Sequence, residues 1–388
     1  MRLVFFCSGL EPGRDGIGDY ARTLAAACAA AGHETRLVAV RDPFCGKTVV
    51  SKITDKEPRF RDIFRYPAES RALAAWLREY QPDWASVQFT PFGFHRRGLG
   101  ARRASDLRAL LSPLTQRHFM LHEMWLQPGP DGLWRHRLLG RFQRRSVLAW
   151  LGSGWQPEVI HTQARLHLAR LQTCGIPAKL LPLCTAFTSP SVTLAEARAA
   201  LTSSLRAPGG LKTPADPSAM WIGFFGTLHR EGWNFPDYAA KLAAVSPRRI
   251  CFVALGRSRT ATEAWTEAAR TVPQAEFRLL GELPADKVTL AMRACDAALT
   301  STPWDIIEKS SSVAAWRAVG VPVLVTRGPA PQNGDLPPWP DPGLLLANKI
   351  GPELAGPFHP LPGPAFLAPA QAAQTFLSSL AAAHSSIA

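Results

Sequence analysis

Short apolar runs of strand length recur in two series along this chain, each followed by a segment of helical periodicity. Nothing else in the sequence restricts the fold as strongly. The first series is Arg2–Ser8, Glu34–Val40, Trp84–Phe89, Phe119–His122 and Glu158–Thr162. The second is Trp221–Gly226, Ile250–Gly256, Ala275–Gly281, Asp296–Ser301 and Val321–Thr326. Continuous apolar runs mark strands buried on both faces, and intervening helices such as Ala68–Tyr80 are the crossovers that parallel strands require. Residues 188–220 are rich in Ser, Thr, Pro and Gly and read as a linker holding at most one short helix. A chain of 388 residues is too long for one comfortable core. The predicted architecture is α/β: two doubly wound Rossmann-like domains, 1–187 and 221–366, facing a cleft between their carboxyl edges. A C-terminal helix over 367–388 is placed to pack back on the first domain.

Charge is unevenly placed. Of a net +14, residues 1–185 hold 27 Lys and Arg against 15 Asp and Glu. The densest pieces are His95–Arg103 and Arg135–Arg145. Two readings stay open: a solvated arginine-rich surface, or attraction to an anionic membrane surface or substrate. Nucleic acid is not expected, because no recognition motif accompanies the charge. Seven cysteines at scattered positions, with no CxxC spacing, read as buried thiols in a reducing cytoplasm. The N-terminus lacks a signal-peptide pattern, and no run approaches the length of a membrane span. The expected location is cytoplasmic, with a peripheral place on the inner membrane face left open.

Three loops carry the candidate chemistry. After the first strand, Glu11–Arg22 holds Gly16 and Gly18 before a helix read from Asp19 as N-cap to Gly32 as stop. Its glycine order differs from the dinucleotide fingerprint, although Asp42 after the second strand keeps a Rossmann oxidoreductase among the readings. His122 and Glu123 stand at a strand end, where His122 can bond a hydroxyl or carry a proton. Near the end of the second series, Pro303–Val323 gathers Glu308, Lys309, Ser310, Ser311 and Ser312 at the start of a helix. That is either an ordinary capping cluster or a diphosphate cradle. No metal-ligating constellation, hydrolase elbow or Walker loop is present.

The run "DGIGDYARTLAAACAAAGHETRLVAV" resembles the opening of bacterial nucleotide-sugar-dependent glycosyltransferases of the GT-B fold. "WIGFFGTLHREGW", "FRLLGELPADKVTLAMRACDAALTSTP" and "AAWRAVGVPVLVT" resemble, in order, the donor domain of the same enzymes. The resemblance implies sugar transfer from a nucleotide-diphosphate sugar, without a metal or other cofactor and with retained configuration, to an acceptor held by the first domain. It implies donor contacts at Arg230, Arg257, Lys309, Ser310, Ser311 and Ser312, with Gly16 and Gly18 facing them. Glu308 would meet sugar hydroxyls, and His122 would lie near the anomeric centre. Counting back from Gly320, the two glutamates of many retaining relatives fall on Ile307 and Ala315, neither of them acidic. The alternatives carried forward are a GT-B-fold epimerase, the oxidoreductase, and an inactive nucleotide-sugar or membrane-surface binding protein.

Overall fold

The computed structural model divides the chain into two units, Met1–Cys184 with Leu367–Ala388, and Thr185–Phe366. It describes all residues except 46–48, 51–56, 65–66, 100, 112–115, 129–132, 153–155, 205–217, 227, 229–233, 258, 331–332, 334–340, 352–353, 355, 359–365, 367 and 386–388.

The first unit runs β1 (Arg2–Cys7), α1 (Gly16–Ala30), β2 (Glu34–Ala39), β3 (Val49–Val50), β4 (Pro58–Arg59), α2 (Pro67–Tyr80) and β5 (Trp84–Phe89). It continues with α3 (Pro91–Phe94), α4 (Ala101–Leu111), β6 (Gln116–Leu121), α5 (Trp134–Leu151), β7 (Val159–Thr162), α6 (Arg165–Gln172) and β8 (Lys179–Leu180). Its sheet has the order β3-β4-β2-β1-β5-β6-β7-β8, parallel throughout except where β3 meets β4. β1 is central and buried on both faces, which explains its unbroken apolar run. The core joins Val4, Phe6, Val87, Phe89 and Phe119 of the strands to Leu73, Leu77, Val147 and Trp150 of the helices.

The second unit runs α7 (Leu194–Ser204), β9 (Met220–Phe225), α8 (Phe235–Val245), β10 (Ile250–Leu255), α9 (Arg259–Thr271), β11 (Glu276–Gly281) and α10 (Ala285–Arg293). β12 (Ala297–Pro303), a 3-10 turn (Trp304–Lys309), α11 (Ser311–Ala318), β13 (Val323–Arg327) and β14 (Leu344–Leu346) complete it. All six strands are parallel, in the order β11-β10-β9-β12-β13-β14. Its core stacks Phe235 on Trp265 at 3.9 Å between ring centres, beside Phe224 and Phe252.

Two stretches lie where the units meet the ends of their chain segments. The expected linker 188–220 contains α7, which is fastened to the second unit: Arg198 pairs with Asp296 at 2.6 Å and donates to the Ala294 carbonyl at 3.0 Å. The last helix, α12 (Pro369–Ser385), lies on the first unit, where Phe376 meets the rings of Phe5 at 5.8 Å and His118 at 4.9 Å. All seven cysteines are free, and six are buried. Burial pushes Cys28 up to about 12 and Cys184 up to about 11, so both remain neutral thiols. Among the described residues no helix is long and apolar enough to cross a membrane.

Candidate functional site

In the second sheet, β9 and β12 are neighbours although the chain visits β10 and β11 between them. The strand order therefore reverses at this pair, the place where open α/β sheets bind ligands beyond their carboxyl ends. β9 precedes Gly226 at φ +103° and β10 precedes Gly256 at φ +86°, a left-handed backbone that glycine adopts without strain. Facing Gly226 is the start of α11: a Cβ at 226 would lie 3.5 Å from that of Ser312.

Ser310 is the N-cap of α11, yet its side chain makes no capping bond. Its hydroxyl instead joins a chain of four: Thr300 to Thr302 at 3.2 Å, Thr302 to Ser310 at 3.2 Å, and Ser310 to Ser312 at 3.1 Å. With Ser310 making no capping bond, the positive end of the helix dipole stands beside a row of hydroxyls. The arrangement suits a diphosphate, which accepts hydrogen bonds and carries charge. Thr300 and Thr302 were missed in the sequence. The signal was their i, i+2 spacing at a strand end, which puts both on one face.

Glu308 and Lys309 close the 3-10 turn, Glu308 buried and Lys309 half-buried. Asp305 ties the same turn to the loop after β13, accepting from Ala330 N at 2.8 Å and Asn333 Nδ2 at 2.7 Å. Ser311 is exposed. Ile307 and Ala315 are both buried core positions, so the turn and the helix spend them on packing. Next to Ala315, Trp316 lies over Gly223, where a Cβ would come within 2.2 Å of the indole. Arg257 is exposed and pairs with Glu282 at 2.9 Å across the ends of β10 and β11. Arg230 and His229 lie outside the described residues.

In the first unit the glycine segment differs from its expected form. α1 begins at Gly16, and its N-cap is Asp15, not Asp19. Asp15 Oδ1 accepts from Ile17 N at 3.0 Å and Gly18 N at 3.3 Å, and Ser8 donates to its other oxygen at 3.0 Å. A carboxylate thus already occupies the helix N-terminus. Gly18 is required by packing, since a Cβ there would lie 2.5 Å from the Gly9 carbonyl oxygen, whereas nothing lies within 4 Å of one at Gly16. Gly18→Ala is therefore expected to lower stability by about 1–3 kcal/mol. Gly16→Ala should be neutral or raise it by up to about 1 kcal/mol. Thermal unfolding of the two variants checks the contrast; equal effects would remove the packing explanation.

Asp42 is fully buried. It accepts from Leu10 N at 3.2 Å and Phe44 N at 3.0 Å and pairs with Arg59 at 3.2 Å. Buried completely and bonded inside the protein through both oxygens, Asp42 is not presented to a ribose, which removes the basis of the oxidoreductase reading.

His122 is also buried, and both its ring nitrogens face amides: Nε2 meets Gln88 Oε1 at 2.9 Å and Nδ1 meets Gln163 Oε1 at 3.1 Å. The nitrogens expected to meet a sugar hydroxyl are spent inside the protein. From Gln88 the network continues, Nε2 donating to Ser86 Oγ at 2.7 Å. Ser86 Oγ meets His118 Nδ1 at 2.7 Å, and His118 Nε2 meets His161 Nδ1 at 3.0 Å. The network spans β5, β6 and β7 side by side, so no local sequence pattern announces it. Burial pushes His161 down to about 4, with Lys179 adding to the effect. Burial likewise holds His118 well below its usual range, with His161 and His122 contributing. Burial therefore keeps His118 and His161 neutral at neutral pH.

Among the described residues no group of three or more His, Cys, Asp and Glu side chains is placed to hold a metal ion. No protein-family model matches the sequence, and no curated protein matches it. Solved structures do match. Sucrose-phosphate synthase from Thermosynechococcus elongatus is similar at 16% identity and TM-score 0.57, over 84% of this chain and 82% of that one. The Anabaena protein HepE, solved with UDP and glucose, is similar at 13% identity and TM-score 0.55, over 84% and 81%. The catalytic domain of starch synthase IV from Arabidopsis thaliana, bound to ADP and acarbose, gives 13%, 0.53, 84% and 83%. At such identities the likeness speaks for architecture, and by its architecture the chain is a protein of the GT-B fold.

Proposed function

We propose that this protein transfers a sugar from a nucleoside-diphosphate sugar to an acceptor, with the donor held at the carboxyl edge of the second unit. The observation that carries this reading is the uncapped start of α11, lined by Ser310, Ser312 and Thr302 and facing Gly226 at the sheet's switch point. As the bond between the anomeric carbon and the diphosphate oxygen breaks, negative charge gathers on that oxygen. The helix N–H groups, the hydroxyls and the Lys309 ammonium stabilise it where it develops. Arg230 and Arg257 supply further cations, and Glu308 meets hydroxyls of the donor sugar. The charge of the leaving group is met without a metal. Retention of configuration is part of the proposal, taken from the resemblance of the sequence. His122 is a positioning residue held between two amides. HepE and starch synthase IV, which share the fold, were solved with UDP and ADP, which supports a nucleoside diphosphate as the ligand class. The positive charge of the first unit suits an anionic acceptor or surface.

A second reading, nucleotide-sugar binding without transfer, is favoured by the apolar, buried Ile307 and Ala315. Calorimetric titration with UDP, GDP and ADP separates these from no function at this edge. Ser310→Ala/Ser312→Ala is expected to weaken the preferred diphosphate about tenfold or more. The helix should survive, because Ser310 makes no capping bond. Full affinity in this variant, or binding of none of the three nucleotides, overturns the site. Nucleotide release that requires an added acceptor supports transfer, and tight binding without any release supports the second reading.

A further inference from the structure

α5 is held rigidly from one side. Gly140 packs so close to the Leu126 carbonyl that a Cβ would come within 2.1 Å of its oxygen. The fully buried Gln143 accepts from Leu126 N at 2.9 Å and donates to the Arg97 carbonyl at 3.1 Å. The opposite side carries Trp134, Leu138 and Phe142, exposed by 75%, 43% and 47%. Spaced four apart, these three form one stripe along the helix. Exposed Leu126 and Leu133 precede it. Arg135, Arg137, Arg141 and Arg145 are also exposed on this helix, which contains no acidic residue.

The start of α5 works against helix stability. Leu133 provides no side-chain cap, and Arg135 and Arg137 lie by the positive end of the dipole, where carboxylates are normally favoured. Three large apolar side chains in water add to this cost. Such local conflicts are expected where a surface serves a partner. An apolar stripe set among cations, with tryptophan at its end, matches a helix lying in the headgroup region of a bilayer. A second copy of this chain would bring the same arginines face to face and be repelled. Because α5 follows β6, its first turn stands on the carboxyl-edge side of the first sheet.

We propose that α5 docks the protein on an anionic bilayer, Trp134, Leu138 and Phe142 entering the headgroup boundary while the arginines pair with lipid phosphates. The inference deepens the reading of the first unit as the half that faces an anionic acceptor or surface. Its test needs no nucleotide, so it can fail while donor binding stands, and the reverse. The full chain is sedimented with vesicles of phosphatidylcholine alone, or with roughly three-tenths phosphatidylglycerol, at about 0.1 M salt. Binding is expected to the anionic vesicles and to be at least about tenfold weaker on neutral ones. Trp134→Ser/Phe142→Ser and Arg135→Gln/Arg141→Gln/Arg145→Gln should each lower the anionic partition about tenfold or more. Unfolding temperature and nucleotide affinity should stay unchanged in both. No binding to either vesicle, equal binding to both, or full binding by both variants overturns the proposal. So does an oligomer that only Trp134→Ser/Phe142→Ser dissolves, which would make the stripe an interface between copies.

Discussion

Arg317→Met is expected to destabilise the second unit by about 3–5 kcal/mol. The guanidinium of Arg317 is fully buried within the sheet–helix layer, with Nε and Nη2 each 2.9 Å from an oxygen of Asp341 and Nη1 3.1 Å from the Val321 carbonyl. Asp341 is equally buried and also accepts from Gly343 N at 2.8 Å. The ion pair is bidentate, and Gly343 accommodates it: a Cβ there would come within 2.0 Å of the Arg317 guanidinium carbon. Removing the arginine leaves a carboxylate in the interior with one backbone donor, and an uncompensated buried charge is the costly species. Arg317→Met/Asp341→Leu removes both charges and should recover most of the loss. Urea unfolding of wild type, single and double variants gives the comparison. A double variant as unstable as the single would show that packing, not the stranded carboxylate, sets the cost. Because Arg317 is on α11, the single variant should also weaken nucleotide binding, by loosening the helix whose start forms the proposed cradle.

The second large effect depends on pH. His161 titrates near pH 6.5 in an unfolded chain and at about 4 in the folded one. Between those values the unfolded state binds a proton that the folded state refuses, so stability falls as pH drops from 6.5 towards 4. At about 1.4 kcal/mol per pH unit the loss approaches 3 kcal/mol. His118, shifted in the same direction, adds its own loss from pH 6.5 downwards. The cause is burial of the His161 ring, with the Lys179 charge adding to it, and the hydrogen bonds leave no room for the extra proton. Ser86 accepts from Gln88, so its own hydrogen points to His118 Nδ1, and His118 Nε2–H is left to donate to His161 Nδ1. A proton on His161 Nδ1 would face that N–H. His161→Gln retains an acceptor without a titrating group, and its urea midpoint should fall less between pH 7 and 4.5 than that of wild type. Parallel curves for the two proteins would rule the pair out as the source.

The sequence announced the frame of each sheet better than its edges. β1, β9 and β10 were readable because strands covered on both faces are almost continuously apolar, and β9 and β10 run directly into glycine. β3, β4 and β8 have two residues each and carry no periodicity to detect. α7, allowed for as one short helix in a Ser- and Pro-rich stretch, was not located there, though it has a capping box, Thr193 N and Oγ1 both bonding Glu196 Oε2 at 2.7 and 2.8 Å. Of the candidate site, the serine cluster and the strand-end glycines were legible as local patterns. Gly18 looked like a ligand loop because a glycine needed for packing and one needed for a phosphate read alike in sequence. The surroundings of Asp42 and His122 were not legible either: their partners, Arg59, Gln88 and Gln163, come from other strands or strand ends and meet them only after folding.

The position of α12 bears on how the molecule is made. It covers Phe5 and His118, and Phe376 comes out of the ribosome only after all of the second unit. At about 5–20 residues per second, the stretch between Cys184 and Phe376 takes roughly 10–40 s to synthesise. For that interval the patch that α12 covers, at Phe5 and His118 beside α1, waits for its partner while the second unit is being made. The nascent chain therefore carries that apolar patch until its final helix arrives, and the first unit cannot reach its full native packing before then.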